Sequence, residues 1–137
     1  MKGQSIIFEE VLLFGISVAI FIVAFTIFQM YQMNFSSNSL SDHTRSVRDM
    51  VLGHVVELTR IGDLNASLTL RIPREMSGEY YHIYINNTNF WVITDETKTT
   101  ASYSIESMSS TYSFSGETAS RMGEIIIYKR GYNIIID

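Results

Sequence analysis

A long apolar segment near the N-terminus limits what this chain can fold into. After Glu10 no charged side chain occurs until Asp42, and residues 11–28 are all apolar or small except Ser17 and Thr26. As a helix rising about 1.5 Å per residue, eighteen such positions extend roughly 27 Å, close to the thickness of the hydrocarbon core of a bilayer. A helix without a polar face is unsuited to water. We therefore expect it to span a membrane or to be enclosed by copies of itself.

The composition of the remaining chain excludes several classes of function. The chain has ten Lys plus Arg and fourteen Asp plus Glu; without Lys2, Glu9 and Glu10, nine and twelve remain, a net charge of −3. A nucleic-acid surface would need a basic stripe, so nucleic-acid binding is not expected. Cysteine is absent, which excludes disulfides, zinc–thiolate sites and a thiol nucleophile. About 100 residues follow the apolar segment, enough for one small domain.

The apolar segment continues into a second stretch with a helical pattern. Apolar residues recur there at spacings of three and four, with charged residues on the other faces: Val47, Met50, Val51, Val55 and Leu58. We predict one helix over residues 5–61, apolar over 4–33 and amphipathic over 34–61, with Gly62 as its stop signal. The Ser- and Asn-rich residues 34–41 could loosen or interrupt this helix, so a continuous helix and a helix bent or broken there both stay open.

After Gly62 the pattern changes to the period of two that is typical of strands, so residues 62–137 are predicted to form a β-rich domain. The predicted strands cover residues 68–72, 81–85, 90–93, 101–105, 111–114, 124–128 and 132–136. The last two hold three isoleucines each and are joined by a turn at 129–131. Strands this apolar belong in the middle of a sheet, against the amphipathic helix or at a subunit contact. The predicted fold class is α+β, with a long hydrophobic N-terminal helix followed by a small antiparallel sheet or sandwich.

Charge and glycosylation signals indicate how the chain lies in a membrane. Lys2 precedes the apolar segment, which favours a cytoplasmic N-terminus and a β-rich domain outside. Three Asn-x-Ser/Thr triplets follow the segment, beginning at Asn34, Asn65 and Asn86. They are candidate sites of N-glycosylation, although such triplets also arise by chance in a chain rich in Ser, Thr and Asn.

The N-terminus resembles the archaeal type IV pilin-like precursors of the pilin and archaellin superfamily, which carry a class III signal peptide. The resemblance rests on Lys2-Gly3 followed by Gln4, on Glu9 and Glu10, and on the unbroken apolar helix. It implies that residues 1–3 are a leader which a prepilin peptidase removes between Gly3 and Gln4. It also implies that Glu9 or Glu10 is the family's early acidic residue. The mature helix would pack with its copies into the core of a filament, a homopolymer with the β-domain outside.

The residues expected at the assembly contact are Glu9, Glu10, Val11, Phe14 and Gly15. Two interpretations of the glutamates remain open. They either complement the positive end of the helix at the membrane interface, or they pair with an amine during assembly. Gly15 begins a Gly-xxx-Ala pattern that permits close helix approach, a pattern common by chance in membrane helices. The recurrence of phenylalanine after Phe14 is typical of ordinary packing.

No motif predicts catalysis, a cofactor or a metal. The chain contains no G-x-S-x-G, phosphate-binding glycine loop or H-E-x-x-H sequence. His54 and Glu57 share a helical face without a third ligand nearby, and His43 and His82 have no evident partner. A tyrosine- and tryptophan-rich group around Trp91 is typical of a sheet face and core, with a sugar- or surface-binding patch as the alternative. An enzyme is therefore not expected.

Three hypotheses about function follow. The first is a structural subunit of an archaeal type IV-like pilus or related filament, located in the membrane before assembly and on the cell surface afterwards. The second is an accessory anchored by its single span that never polymerises, such as a pseudopilin, a stator-like protein or a protein that binds the cell envelope. The third is a single-span ligand sensor, for which residues 1–10 are too short to be an output domain.

Overall fold

The protein consists of one long helix followed by one β-sheet in a computed structural model, which confirms the α+β fold class. The model describes residues 2–62 and 64–137, with side chains from residue 7 onward. The elements are α1 (Lys2–Thr59), β1 (Ala66–Arg71), β2 (Tyr81–Ile85), β3 (Asn89–Thr94), β4 (Thr100–Ser104), α2 (Glu106–Ser109), β5 (Ser113–Ala119), β6 (Glu124–Arg130) and β7 (Asn133–Ile136). A 3₁₀ turn, Ser120–Met122, precedes β6.

Helix α1 contributes to two compact units, of which the first ends at Ser37 and the second comprises Asn38–Asp137. The break considered at residues 34–41 does not occur, because all of these residues are helical. Exposed Ser and Asn side chains compete with the backbone only weakly when water satisfies them. The helix ends two residues before its predicted limit, and Gly62 follows in a left-handed conformation with φ of 73°.

The seven strands form a single sheet rather than a sandwich, in the order β1-β6-β7-β5-β2-β3-β4. All neighbouring pairs are antiparallel except β5 and β7, which run parallel over Ser113–Gly116 and Asn133–Ile136. The isoleucine-rich strands β6 and β7 lie inside the sheet, which is one of the three locations predicted for them. The strands at the two edges are β1 and β4.

The core of the second unit lies between one face of the sheet and the amphipathic part of α1. Val51 and Val55 are fully buried there against Ile125, Ile127 and Ile134. The alternation of buried and half-buried residues along β2, β3 and β6 places every second side chain in this core. At about 25 cal/mol per Å² of apolar surface, this burial is the main stabilising contribution to the unit.

The hairpin between β6 and β7 differs from its prediction at residues 129–131. Strand β6 continues to Arg130, and the turn lies at Gly131 and Tyr132. Lys129, predicted in the turn, is instead fully buried, because its ammonium donates a hydrogen bond to the Gly62 carbonyl just after α1. The ammonium also lies 5.5 Å from the ring centroid of Tyr112. A positive charge beside the C-terminal end of a helix is favourable because of the helix dipole.

Removing the Lys129 side chain should destabilise the second unit. Lys129→Ala leaves a cavity and deprives the Gly62 carbonyl of its donor, so we expect the free energy of unfolding to fall by about 2–4 kcal/mol. Lys129→Met keeps the volume and should recover at least half of that loss. The neighbouring exposed residue provides the control, since Arg130→Ala should change stability by less than about 0.5 kcal/mol. Denaturant titration followed by the fluorescence of Trp91 would measure all three. Equal losses for Lys129→Ala and Arg130→Ala would contradict this role.

Candidate assembly surface

The first part of α1 exposes an apolar surface on every side of the helix. Every side chain from residue 7 to residue 37 is exposed. The exposed fractions reach 71% at Phe14, 70% at Phe21 and 64% at Phe28, values otherwise typical of charged residues. The helix is long and apolar enough to cross a membrane.

The hydroxyl groups in this segment are satisfied within the helix itself. Ser17 donates to the carbonyl of Leu13 and Thr26 donates to the carbonyl of Ile22, each at 2.8 Å. Lipid offers no hydrogen-bond partner, so a polar group there must find one in its own helix or in a neighbouring one. The two polar side chains of residues 11–28 therefore present no obstacle to a lipid or helical environment.

Four of the five predicted assembly residues lie along one side of α1. Glu10 and Phe14, Val11 and Phe14, and Val11 and Gly15 are each three or four residues apart and are therefore neighbours on the helix surface, whereas Glu9 lies outside this stripe. All five are exposed. A Cβ placed on Gly15 would have no atom within 4 Å, so another helix can approach closely there.

The phenylalanines after Phe14 extend the same face toward the middle of the helix. Phe14, Phe21, Phe25 and Phe28 recur at spacings of seven, four and three residues. The rings of Phe21 and Phe25 stack with their centroids 6.4 Å apart and an angle of 13° between planes. The result is an aromatic ridge along one side of an otherwise aliphatic helix.

The predicted leader junction is described only in part. The backbone of Gly3 and Gln4 belongs to α1, while their side chains, like Met1, lie outside the described residues.

The three candidate glycosylation residues are all exposed, in different local structures. Asn34 is helical in α1. The Oδ1 atom of Asn65 accepts a hydrogen bond from the backbone N–H of Gly131, and that of Asn86 accepts from Thr88 and Asn89. Modification occurs at the amide nitrogen, which these bonds leave uninvolved. Glycosylation remains a prediction.

His82 acquires partners that the sequence did not reveal. Its Nε2 atom lies 3.4 Å from Oδ1 of Asp95, and its Nδ1 atom lies 3.6 Å from Oε1 of Glu117. The ring also stacks on that of Tyr84. Burial, together with the nearby carboxylate of Glu117, raises the pKa of Tyr84. The two carboxylates face different ring nitrogens, so they cannot join His82 around one ion. These residues come from β2, β5 and the loop after β3, which only the strand order brings together.

The other histidine considered as a ligand is engaged in its own helix. The Nδ1 atom of His54 donates to the carbonyl of Met50 at 2.8 Å, so that nitrogen is not directed at Glu57. Within residues 2–62 and 64–137, no group of three His, Cys, Asp or Glu side chains is placed to hold a metal ion.

None of the protein-family models, curated proteins or solved structures compared with this chain matches it. Its function is therefore inferred from its own residues.

Proposed function

We propose that this protein is the structural subunit of an archaeal type IV-like pilus or a related surface filament, and that it polymerises through α1. The supporting observation is the apolar surface of residues 11–28, which a single chain leaves entirely uncovered. Lipid covers this surface before assembly, and identical helices cover it afterwards.

Exchange of lipid for sister helices is physically undemanding. The helix moves from one apolar environment to another, so no apolar area meets water during the transfer. Its backbone hydrogen bonds stay within the helix, and the hydroxyls of Ser17 and Thr26 remain bonded to carbonyls of the preceding turn. Subunits with such a helix can therefore be held in the membrane and then added to a growing filament.

Removal of the leader would create a positively charged amine with which Glu9 or Glu10 can pair. Cleavage between Gly3 and Gln4 by a prepilin peptidase on the cytoplasmic side removes Lys2 and leaves a new amine at the start of α1. Glu9 or Glu10, when enclosed by helices, is costly unless it is paired with that amine or with the amine of a neighbouring subunit. Pairing between neighbours would set the stagger of successive helices.

The second candidate is a membrane-anchored accessory that does not polymerise. It is favoured by the separate core of the second unit, in which Val51, Val55 and the buried isoleucines need no other chain for their burial. For such a protein lipid would be the permanent cover of α1.

Shearing of surface filaments, followed by mass determination of the subunit, separates the two candidates. A filament subunit should appear in the sheared fraction with Gln4 as its first residue. Native protein that keeps Met1 and stays wholly in the membrane fraction after shearing would overturn the proposal. The matched variant Gly3→Val should block cleavage, so the chain should accumulate in the membrane and filaments should be lost.

A further inference from the structure

The sheet has a second face, which lies opposite the core. Along β2 and β3 every second residue is buried on the side of α1, so the residues between them lie on the other side of the sheet. This outer face carries Tyr84, Trp91 and Ile93, which are half-buried, together with the exposed residues Ser102 and Glu117. The solvated face of an antiparallel sheet usually holds polar side chains. Two aromatic residues side by side on this face therefore indicate a binding surface.

Four of these residues form one row across four strands. The register places Trp91 opposite Tyr84 on one side and opposite Ser102 on the other, and it places Glu117 opposite Tyr84. Because neighbouring strands lie about 4.8 Å apart, this outer row of Ser102, Trp91, Tyr84 and Glu117 extends about 14 Å. Arg48 fixes the backbone at one end of the row, since it donates a hydrogen bond to the Ser102 carbonyl at 3.0 Å.

Trp91 has a hydrogen-bond donor that the protein does not use. No described residue accepts a hydrogen bond from its indole N–H, and solvent reaches this atom. Tyr84 beside it is held in place, because its ring stacks on that of His82 with the centroids 5.9 Å apart. A tryptophan contributes a large apolar area to a contact, and its N–H adds direction. Trp91 is therefore suited to a ligand that has both an apolar face and hydrogen-bond acceptors.

The charges beside the outer row decide which ligands can bind. The only charged member of the row is Glu117, so the row offers no cation to an anionic ligand. Arg121 does not supply one, because it is directed at Asp95, 4.0 Å away. A phosphate, a sulfate or a uronic acid would be repelled by the Glu117 carboxylate. An apolar protein surface would bury this carboxylate without a partner, which is costly.

We propose that the outer row binds a neutral glycan. The C–H groups of a sugar ring can pack on the indole of Trp91, and an oxygen of the next sugar can accept its N–H. Sugar hydroxyls would bond to Ser102 at one end of the row and donate charge-assisted hydrogen bonds to Glu117 at the other. The row is longer than one sugar ring, so the ligand is an oligosaccharide or a polysaccharide.

The source of this glycan is a polysaccharide outside the cell that is not attached to the chain. In both functions proposed above the second unit lies outside the membrane, where such polymers occur. The glycan proposal rests on that location but not on polymerisation through α1. A failure to form filaments would therefore leave it intact, and a failure to bind glycans would leave the filament proposal intact.

Calorimetric titration of the full-length protein in detergent tests the proposal. The probes are neutral oligomers of glucose, mannose, galactose and N-acetylglucosamine, together with the uronic acid oligomers that correspond to them. At least one neutral oligomer should bind with saturation, and the fluorescence of Trp91, the single tryptophan, should change over the same concentrations. The corresponding uronic acid should bind at least about threefold more weakly. Absence of binding by all the neutral oligomers, or equal binding of the uronic acid, would overturn the proposal.

Two variants of the outer row test the assigned roles. Trp91→Ala should weaken binding of the neutral oligomer at least about tenfold. The matched control is Tyr128→Ala, which removes another half-buried aromatic ring of the outer face, on β6, and should leave binding unchanged. Glu117→Gln leaves Trp91 in place and should raise the affinity for the uronic acid oligomer about threefold. Equal losses in Trp91→Ala and Tyr128→Ala, or an unchanged affinity for the uronic acid in Glu117→Gln, would contradict this site.

Discussion

Replacement of Gly116 with alanine is expected to destabilise the β-rich unit strongly. Gly116 is the residue at which β5 pairs with both β7 and β2, and its φ is 139°. A Cβ at this position would clash with the carbonyl oxygen of Ile136 and would lie 2.7 Å from the Ile136 nitrogen. Both obstructing groups are backbone atoms of an interior strand, so they cannot rotate away as a side chain would.

The expected loss from Gly116→Ala is about 2–6 kcal/mol. Overpacking of a well-packed site costs about 1–3 kcal/mol, and a residue forced into an unfavourable backbone conformation costs a similar amount. Small domains have a free energy of unfolding of only about 5–15 kcal/mol, so this loss is a large part of the stability. Denaturant titration of the detergent-solubilised protein, followed by the fluorescence of its single tryptophan, Trp91, would measure the loss.

Two other glycines separate the causes of that loss. Gly131 has a φ of 60° but open space around it, so Gly131→Ala reports backbone strain alone, about 1 kcal/mol. Gly53 lies in α1 with open space, so Gly53→Ala should stabilise the helix by about 0.5–1 kcal/mol. If Gly116→Ala cost no more than Gly131→Ala, the close approach of Ile136 would not matter for stability.

Two arginines in the middle of the apolar segment are expected to abolish stable membrane insertion. Ala19→Arg with Ala24→Arg places two charges where each costs about 2.5–3.5 kcal/mol, together about 5–7 kcal/mol. Residues 7–37 are exposed all round, so no buried partner in the chain can compensate for the charges. The measurement is the fraction of protein that resists alkaline extraction from membranes, and it should fall to background.

The matched control carries the same two charges on the same helix beyond the apolar segment. Ser36→Arg with Ser37→Arg changes exposed polar positions of α1. We expect the fraction of this variant that resists alkaline extraction to match that of the unchanged protein. If both double variants remained in the membrane fraction, residues 11–28 would not be the anchor. If both double variants were lost from the membrane fraction, general misfolding would be indicated instead.

Local patterns predicted most of the elements because they depend on the order of side chains along the chain. The strands β2 and β3 lie within one residue of their predicted positions and α1 ends within two, since spacing alone decides which side chains reach the core. Of the two possibilities at residues 34–41, the continuous helix is the one that forms, because propensity is a weak preference beside the hydrogen bonds of a long helix. The turn predicted at 129–131 was wrong because two adjacent charged residues, Lys129 and Arg130, are usually exposed to solvent. In the structure the Lys129 ammonium is buried and donates a hydrogen bond to the Gly62 carbonyl.

The contacts that distinguish particular surfaces could not be predicted in the same way. Arg48 reaches Ser102 across 54 positions of the chain, and the partners of His82 come from three separate segments. These contacts depend on the strand order, which places β4 at one end of the sheet and β5 beside β2. No residue pattern along one strand carries that information.

The sequence by itself determined that residues 11–28 must be kept from water, because the cost of exposing apolar surface is a sum over side chains and needs no knowledge of their neighbours. It also determined the change from a helical to a strand period after Gly62. Only the tertiary structure decided that Arg48 covers the backbone of β4 at Ser102. Whether a backbone group has a partner is a property of the assembled sheet, since its hydrogen bonds join residues that are distant in the chain.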